Sequence, residues 1–281
     1  MMMTVQSEMQ PASDEGERLP AARGRNILLT LSYDGTDFCG WQRQDKAAGG
    51  KPVRTVQAVI EAALAKIHKA PVALQGSGRT DSGVHAASQA ANFFSPIDSI
   101  PVERYPLAIN AFLPPDVRIH TAREVPADFS ARFSATSRTY RYFLYPGDAP
   151  QASEMRYVWA LHHQPDIRIL NEMAQCLQGE IDCATFAASG DASLSTKRYI
   201  EHACFFTEGS KIVFEICANA FLWKMVRSLT GTLVSFEKSG RTAADFERAL
   251  KSADRAQAGA TAPAQGLFLW NVSFSGIRRH V

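Results

Sequence analysis

The sequence contains no run of about 18 apolar residues, so a transmembrane helix of ordinary length is excluded. Its first residues, MMMTVQSEMQPASDEGERLPAARGR, lack the apolar core that an export signal needs. They are polar and rich in small residues and proline, and the expectation is a disordered tail over residues 1–25 and a cytoplasmic protein. Cysteine is scarce. The five residues (Cys39, Cys176, Cys183, Cys204 and Cys217) are odd in number, widely spaced and without a CxxC, which argues against a disulfide scaffold. No Cys or His pair has zinc-ligand spacing, since His162 and His163 are adjacent, so no metal site is expected. Charge of one sign is also lacking: the net value of +2 is too small to announce a polyanionic partner by itself.

What is present suits a globular chain. Its 281 residues, 46% of them apolar, can bury the core of one large domain or of two modest ones. Residues 26–33 (NILLTLSY) read as a strand. Thr55 then stands as a plausible N-cap before residues 56–69, where Val56, Val59, Ile60, Ala63, Leu64 and Ile67 recur at helical spacing. Strands are expected at 72–75, 89–94 and 117–125, with a helix over 103–112 stopped by Pro114 and Pro115. The second half repeats this order. A strand at 138–145 puts Tyr140, Tyr142 and Leu144 on one face and Arg141 and Phe143 on the other. A helix over 166–177, a hairpin of 200–207 with 211–217, helices over 221–236 and 243–252, and a strand at 268–274 follow. The element order β-α-β-β-α-β, met twice, predicts an α+β fold of two ferredoxin-like units with mostly antiparallel sheets, residues 26–125 and 126–281. Residues 45–54 and 189–196 read as surface loops.

Between two of the expected strands lies GSGRTDSGVHA, residues 76–86. A dinucleotide loop would need a third glycine at position 81, where this chain has Asp81, and a carboxylate there repels a pyrophosphate. A Walker-type loop fails because no Gly-Lys-Ser/Thr follows, and one acid without acidic neighbours is thin for a metal. Two readings stay open. Asp81 is a turn or cap residue, or it is a single carboxylate used as nucleophile or base, with glycines on both sides leaving room for a planar substrate. Further on, residues 129–147 hold no acid, while Arg132, Arg138 and Arg141 stand among Tyr140, Tyr142 and Tyr145. Such interleaving suits a phosphate backbone with unstacked bases, and equally an ordinary strand with a basic face.

GRTDSGVHA (residues 78–86) resembles the active-site signature of the tRNA pseudouridine synthase A family. Four more segments resemble that family in its order: YDGTDFCGWQRQ (33–44), ARFSATSRTYRYFLY (131–145), NAFLWKMVRSLTGTL (219–233) and APAQGLFLWNVSF (262–274). The resemblance implies isomerisation of uridine to pseudouridine at positions 38, 39 and 40 of the tRNA anticodon stem-loop. That reaction is redox-neutral and needs no nucleotide, metal or other cofactor. By motif, Asp81 corresponds to the essential aspartate, Tyr140 to the tyrosine beside the target uracil, and Arg227 to the arginine that reaches the aspartate. Helical spacing by itself puts Arg227 opposite the stripe of Met225, Val226, Leu229, Leu233 and Phe236, which ordinarily means a solvated face. Arg79 is expected to contact RNA near the flipped nucleotide. Arg43, His85, Arg132, Arg138 and Arg141, with Lys197 and Arg198, are candidates for phosphate contacts by charge and position only. A homodimer with tRNA spanning both subunits, and no membrane association, is implied. Two departures are visible: the loop after Gln44 is longer than in the compact family form, and residues 189–199 read SGDASLSTKRY where the family often has a Cys-x-Ser-x-x-Pro-like stretch. A synthase acting on other RNA positions, or a non-catalytic RNA-binding protein, are the alternatives.

Overall fold

Alternation dictates the strands. Ile27, Leu29 and Leu31 point to one side of an extended chain and are fully buried, while Leu28 points to the other and packs with Ala90, Val125 and Ala131. The computed structural model describes residues 24–44 and 53–279. Nearly all of the expected N-terminal tail and most of the loop after Gln44 lie outside the described residues. The chain runs through β1 (Arg25–Tyr33), α1 (Val56–His68), β2 (Gln75–Gly76), β3 (His85–Ser95), α2 (Tyr105–Asn110) and β4 (Val117–Val125). It continues with β5 (Ser137–Tyr145), β6 (Trp159–Ala160), α3 (Ile167–Ala174), β7 (Gly179–Asp182), β8 (Lys197–Glu208), β9 (Lys211–Ala218), α4 (Met225–Lys238), α5 (Ala243–Lys251) and β10 (Leu267–Ser273).

The strands form one sheet in the order β4-β1-β3-β10-β5-β9-β8-β7, with β2 on β3 and β6 on β5. Its first part, β4-β1-β3-β2, and its second, β10-β5-β9-β8, each show the fourth-first-third-second antiparallel order of a ferredoxin-like unit. The fold is α+β, and the two sheets are continuous. They meet along one edge of β3. The start of that strand pairs in parallel with β10 (His85 with Phe268, Ala86 with Leu269), and its later part pairs with β2 (Ala91 and Asn92 with Gly76 and Gln75). The chain between β2 and β3, which carries Asp81, therefore lies at the seam between the two units.

One face of the sheet shares a single apolar core with the helices, joining Leu29, Phe93, Tyr142, Phe214 and Leu269 to Ile60 and Leu64 of α1, Leu229 and Leu233 of α4 and Phe246 of α5. Helix α1 starts as its sequence directs, with the Thr55 hydroxyl accepting the Ala58 N–H at 3.4 Å. Among the described residues no helix is long and apolar enough to cross a membrane.

Four expected boundaries move, the first being the strand at 72–75, which shrinks to the two residues of β2, Gln75–Gly76. Strand β3 begins at His85 rather than 89, because pairing with β10 draws the end of the glycine-bearing stretch into the sheet. The expected helix over 103–112 splits into a 3-10 turn, Val102–Arg104, and the short α2, after which the Asn110 side chain exchanges hydrogen bonds with the Ile119 backbone. The apolar spacing carries a helix back to residue 221, yet α4 starts at Met225. Lys224 before it takes a left-handed φ of 58°. Upstream, the Asn219 carboxamide oxygen accepts the N–H groups of Tyr199 and Ala220, which holds that turn in a non-helical form.

Candidate active site

The loop between β2 and β3 is held from beneath by the YDG…GW segment. Trp41 N donates to Thr80 O at 3.1 Å, Gly83 N donates to Phe38 O at 3.3 Å, and the Tyr33 hydroxyl lies 2.8 Å from Thr80 Oγ1. The approach is so close that a Cβ on Gly40, whose φ is +87°, would sit 2.6 Å from Thr80 O. Glycine there sets how near the two segments come, and hence where Asp81 stands.

Both oxygens of Asp81 meet donors from the second half of the chain. Arg227 Nη1 lies 2.8 Å from Oδ2, and the Trp223 indole Nε1 donates to Oδ1 at 3.1 Å. The pair is part-buried, with side chains 16% and 18% exposed for Arg227 and Asp81, so it is reachable yet shielded from bulk water. Arg227 stands in the first turn of α4. Its Nε donates to Ala262 O at 2.9 Å and its backbone O accepts the Ala262 N–H at 3.0 Å, so the closing segment before β10 steadies the guanidinium.

Tyr140 lies on the helix-bearing face of β5, 8% exposed, its ring edge-on to Phe221 with centroids 5.0 Å apart. Burial pushes its phenol well above the usual tyrosine range, against the pull of Arg138, so the hydroxyl stays protonated at neutral pH. Burial does the same to Tyr33. Arg138 is a clamp: it donates to the carbonyls of Asn219, Ser77 and Arg132 at 2.7–2.8 Å, and burial pushes its pKa down to about 10. It thus ties the loop start to the turn that precedes α4.

The other expected contacts divide. Arg79 is exposed two residues before Asp81 on the same loop, and Arg132 adjoins Arg138 through its carbonyl. Arg43 is exposed and ion-paired with Glu61 at 3.1 Å. Lys197 pairs with Glu180 at 3.6 Å, whereas Arg198 turns its Nη1 onto the Ser195 and Lys197 carbonyls. Arg141 lies on the reverse face of the sheet, its Nε 2.6 Å from Glu215 and its guanidinium 4.2 Å over Trp270, so the structure does not bring it to Asp81. His85 is corrected from a phosphate candidate to an interior residue. It has no exposed surface, its Nδ1 accepts the Gly35 N–H at 3.0 Å, its Nε2 donates to Arg156 O at 3.1 Å, and Phe268 stacks on it at 4.5 Å. Burial lowers its pKa, with Asp34 opposing.

Trp223 is the contact that sequence reasoning missed. It stands four residues before Arg227, hence on the same side in a helical reading, and an aromatic on that polar side was the available signal. Chemically, the site offers one carboxylate with fixed orientation, a protonated phenol and an aromatic wall at the seam of the sheet. Among the described residues no group of three or more His, Cys, Asp or Glu side chains could hold a metal ion.

The model of a family described as tRNA pseudouridine synthase matches residues 30–134 and 173–275, segments that contain Asp81 in the first and Trp223 and Arg227 in the second. A tRNA pseudouridine synthase A of Treponema denticola is 54% identical over 250 residues, 89% of this chain and 93% of that protein. That of Treponema pallidum is 48% identical over 231 residues, 82% of each chain. That of Caldicellulosiruptor saccharolyticus is 41% identical over 251 residues, 89% of this chain and all of the other.

Proposed function

The chain belongs to the tRNA pseudouridine synthases, and from that premise we propose that it converts uridine to pseudouridine at positions 38, 39 and 40 of the tRNA anticodon stem-loop. The observation that carries the reading is the meeting of Asp81 and Arg227 at 2.8 Å across 146 positions of sequence. A carboxylate so placed, part-buried beside an aromatic pair, fits a reaction that breaks the C1′–N1 bond, turns the uracil and joins C5 to C1′ with loss of the C5 proton.

Asp81 acts either by adding covalently to base or sugar or by taking the C2′ proton to give a glycal, and both routes need one lone pair aimed at the substrate. Arg227 holds that carboxylate and keeps its charge in the pocket. Tyr140, protonated and flanked by Phe221, offers a flat wall to the extruded base. A uridine in a stem is unreachable while stacked, so it is flipped out at a cost of a few kcal/mol. Arg79 and Arg132, beside the loop, are the candidates for the neighbouring phosphates. Two chains acting on one tRNA reconcile a net charge of only +2 with a polyanionic substrate.

The test is release of tritium from tRNA labelled at uridine C5. Wild-type protein releases it and Asp81→Asn does not, while both retain tRNA on a filter. Full release by Asp81→Asn removes Asp81 from the chemistry. Persistence of pseudouridine at 38–40 in a strain lacking the gene removes the position assignment.

A further inference from the structure

Asp81 has two oxygens, and Arg227 accounts for one. Its guanidinium reaches Oδ2 through Nη1, while its Nε donates to Ala262 O. A carboxylate gripped at a single oxygen still turns about its Cβ–Cγ bond, and such turning changes which lone pair faces the substrate. The indole Nε1 of Trp223, 3.1 Å from Oδ1, removes that freedom.

Trp223 is itself held at both of its backbone groups. Its backbone N–H donates to Asp191 Oδ2, and its backbone O accepts the Ala188 N–H at 3.0 Å. Asp191 is fixed in turn, since its Oδ1 accepts the Ser193 N–H at 2.8 Å and its own N–H donates to Ala188 O at 3.1 Å. The next residue, Lys224, adopts a left-handed φ of 58° and sets its ammonium 4.5 Å over the Trp223 ring. A tryptophan needed only as filler has no use for that framework, whereas one that must deliver an N–H to a given oxygen does.

We propose that Trp223 is a positioning residue: with Arg227 it fixes the plane of the Asp81 carboxylate, and the segment around Asp191 supports it. The inference rests on the functional reading above and deepens it. It assigns the 188–193 loop a task that the loop's own chemistry does not suggest, namely holding the second donor of the catalytic carboxylate.

The experiment uses the full chain and tRNA labelled at uridine C5. Trp223→Phe keeps an aromatic ring and deletes the donor. A second variant carrying 3-benzothienylalanine at 223 keeps the bicyclic shape with sulfur in place of N–H, and it decides the matter where Trp223→Phe lowers the melting temperature. The expected result is a fall in kcat of about 10- to 100-fold, with filter-binding affinity for tRNA within twofold of wild type. A merely structural role would instead weaken binding and turnover together or leave both unchanged. Turnover within twofold of wild type for the benzothienylalanine protein overturns the proposal. Wild-type protein that releases no tritium removes the functional reading, and the inference with it.

Discussion

Replacing Gly231 with alanine reverses the usual sign of that substitution. Inside a helix, Gly→Ala ordinarily stabilises by about 1 kcal/mol. Gly231 sits mid-way along α4, but a Cβ there would lie 1.9 Å from Ala260 O and 3.0 Å from Ala262 N. Both are backbone atoms, so no side-chain rotation relieves the overlap. The segment must retreat, and three hydrogen bonds go with it: Gly259 N to Thr232 Oγ1 at 2.9 Å, Ala262 N to Arg227 O at 3.0 Å, and Arg227 Nε to Ala262 O at 2.9 Å. At about 1 kcal/mol each, less the propensity gain, the net destabilisation is about 2 kcal/mol, a fall in Tm of roughly 4–8 °C. Losing Ala262 also frees the guanidinium that faces Asp81, so turnover should drop about tenfold at saturating tRNA. Calorimetry and tritium release measure the two effects. A Tm equal to or above wild type refutes the steric argument. A lowered Tm with wild-type turnover refutes the coupling of this segment to the site.

Arg227→Lys keeps the charge and loses the fork that serves Asp81 and Ala262 together, so kcat in the tritium assay should fall by tenfold or more; near-normal turnover would mean that charge alone suffices. Arg138→Lys cannot span three carbonyls, and urea unfolding should show a loss of about 2 kcal/mol; an unchanged midpoint would reduce the clamp to a surface contact. The third concerns pH. The folded pKa of His85 lies below its unfolded value of about 6.5, so the unfolded chain binds the proton first. Stability is then full above about pH 6.5 and declines as pH falls below it. Asp34 adds a further loss at lower pH. Burial raises its pKa, but hydrogen bonds from Thr36 and Tyr157 outweigh that and hold it below the usual carboxylate range. His85→Gln should flatten the decline of the urea midpoint between about pH 6.5 and 5; a slope equal to wild type would acquit the histidine.

What the sequence makes legible is what local chemistry decides. Thr55 announces α1, the alternation of residues 117–125 announces β4, and Glu208–Gly209 announces the turn between β8 and β9, because each signal and its cause lie within a few residues. Boundaries fail where a distant partner decides. His85 reads as one more polar residue of a glycine-punctuated turn, and only Phe268, at the far end of the chain, makes it the first residue of a buried strand. Phe221 and Leu222 continue the apolar spacing of α4, but Asn219 bonding to Tyr199 stops the helix four residues short. The same division holds at the site. Asp81 stands out locally because it occupies a position where a phosphate loop needs glycine. Arg227 needs the helical register together with the family resemblance to be chosen over a solvated face, and Trp223 needs the turn made by Lys224 before its indole has anything to meet.

The site's place follows from a strand that is too short. In a ferredoxin-like unit the second strand covers the open edge of the third, but β2 has two residues and pairs with Ala91 and Asn92 of the longer β3, with one further backbone bond from Ser77 to Ala90. Leaving the rest of that edge unpaired would expose backbone donors and acceptors. Strand β10 takes two of the positions, and that docking fuses the two sheets. Past Ser77, whose N–H donates to Ala90 O at 2.8 Å, residues 78–84 leave the edge of β3, where β10 stands on His85 and Ala86, and bulge out of the sheet toward the first turn of α4. Helix α4 is tied through Arg227 to Ala262 in the segment that runs into β10, so its first turn arrives at this bulge together with that docking. The carboxylate comes from the first unit and both of its donors from the second. Neither unit alone holds the constellation, and the parallel contact of His85 and Ala86 with Phe268 and Leu269 is as much a part of the site as the side chains that line it.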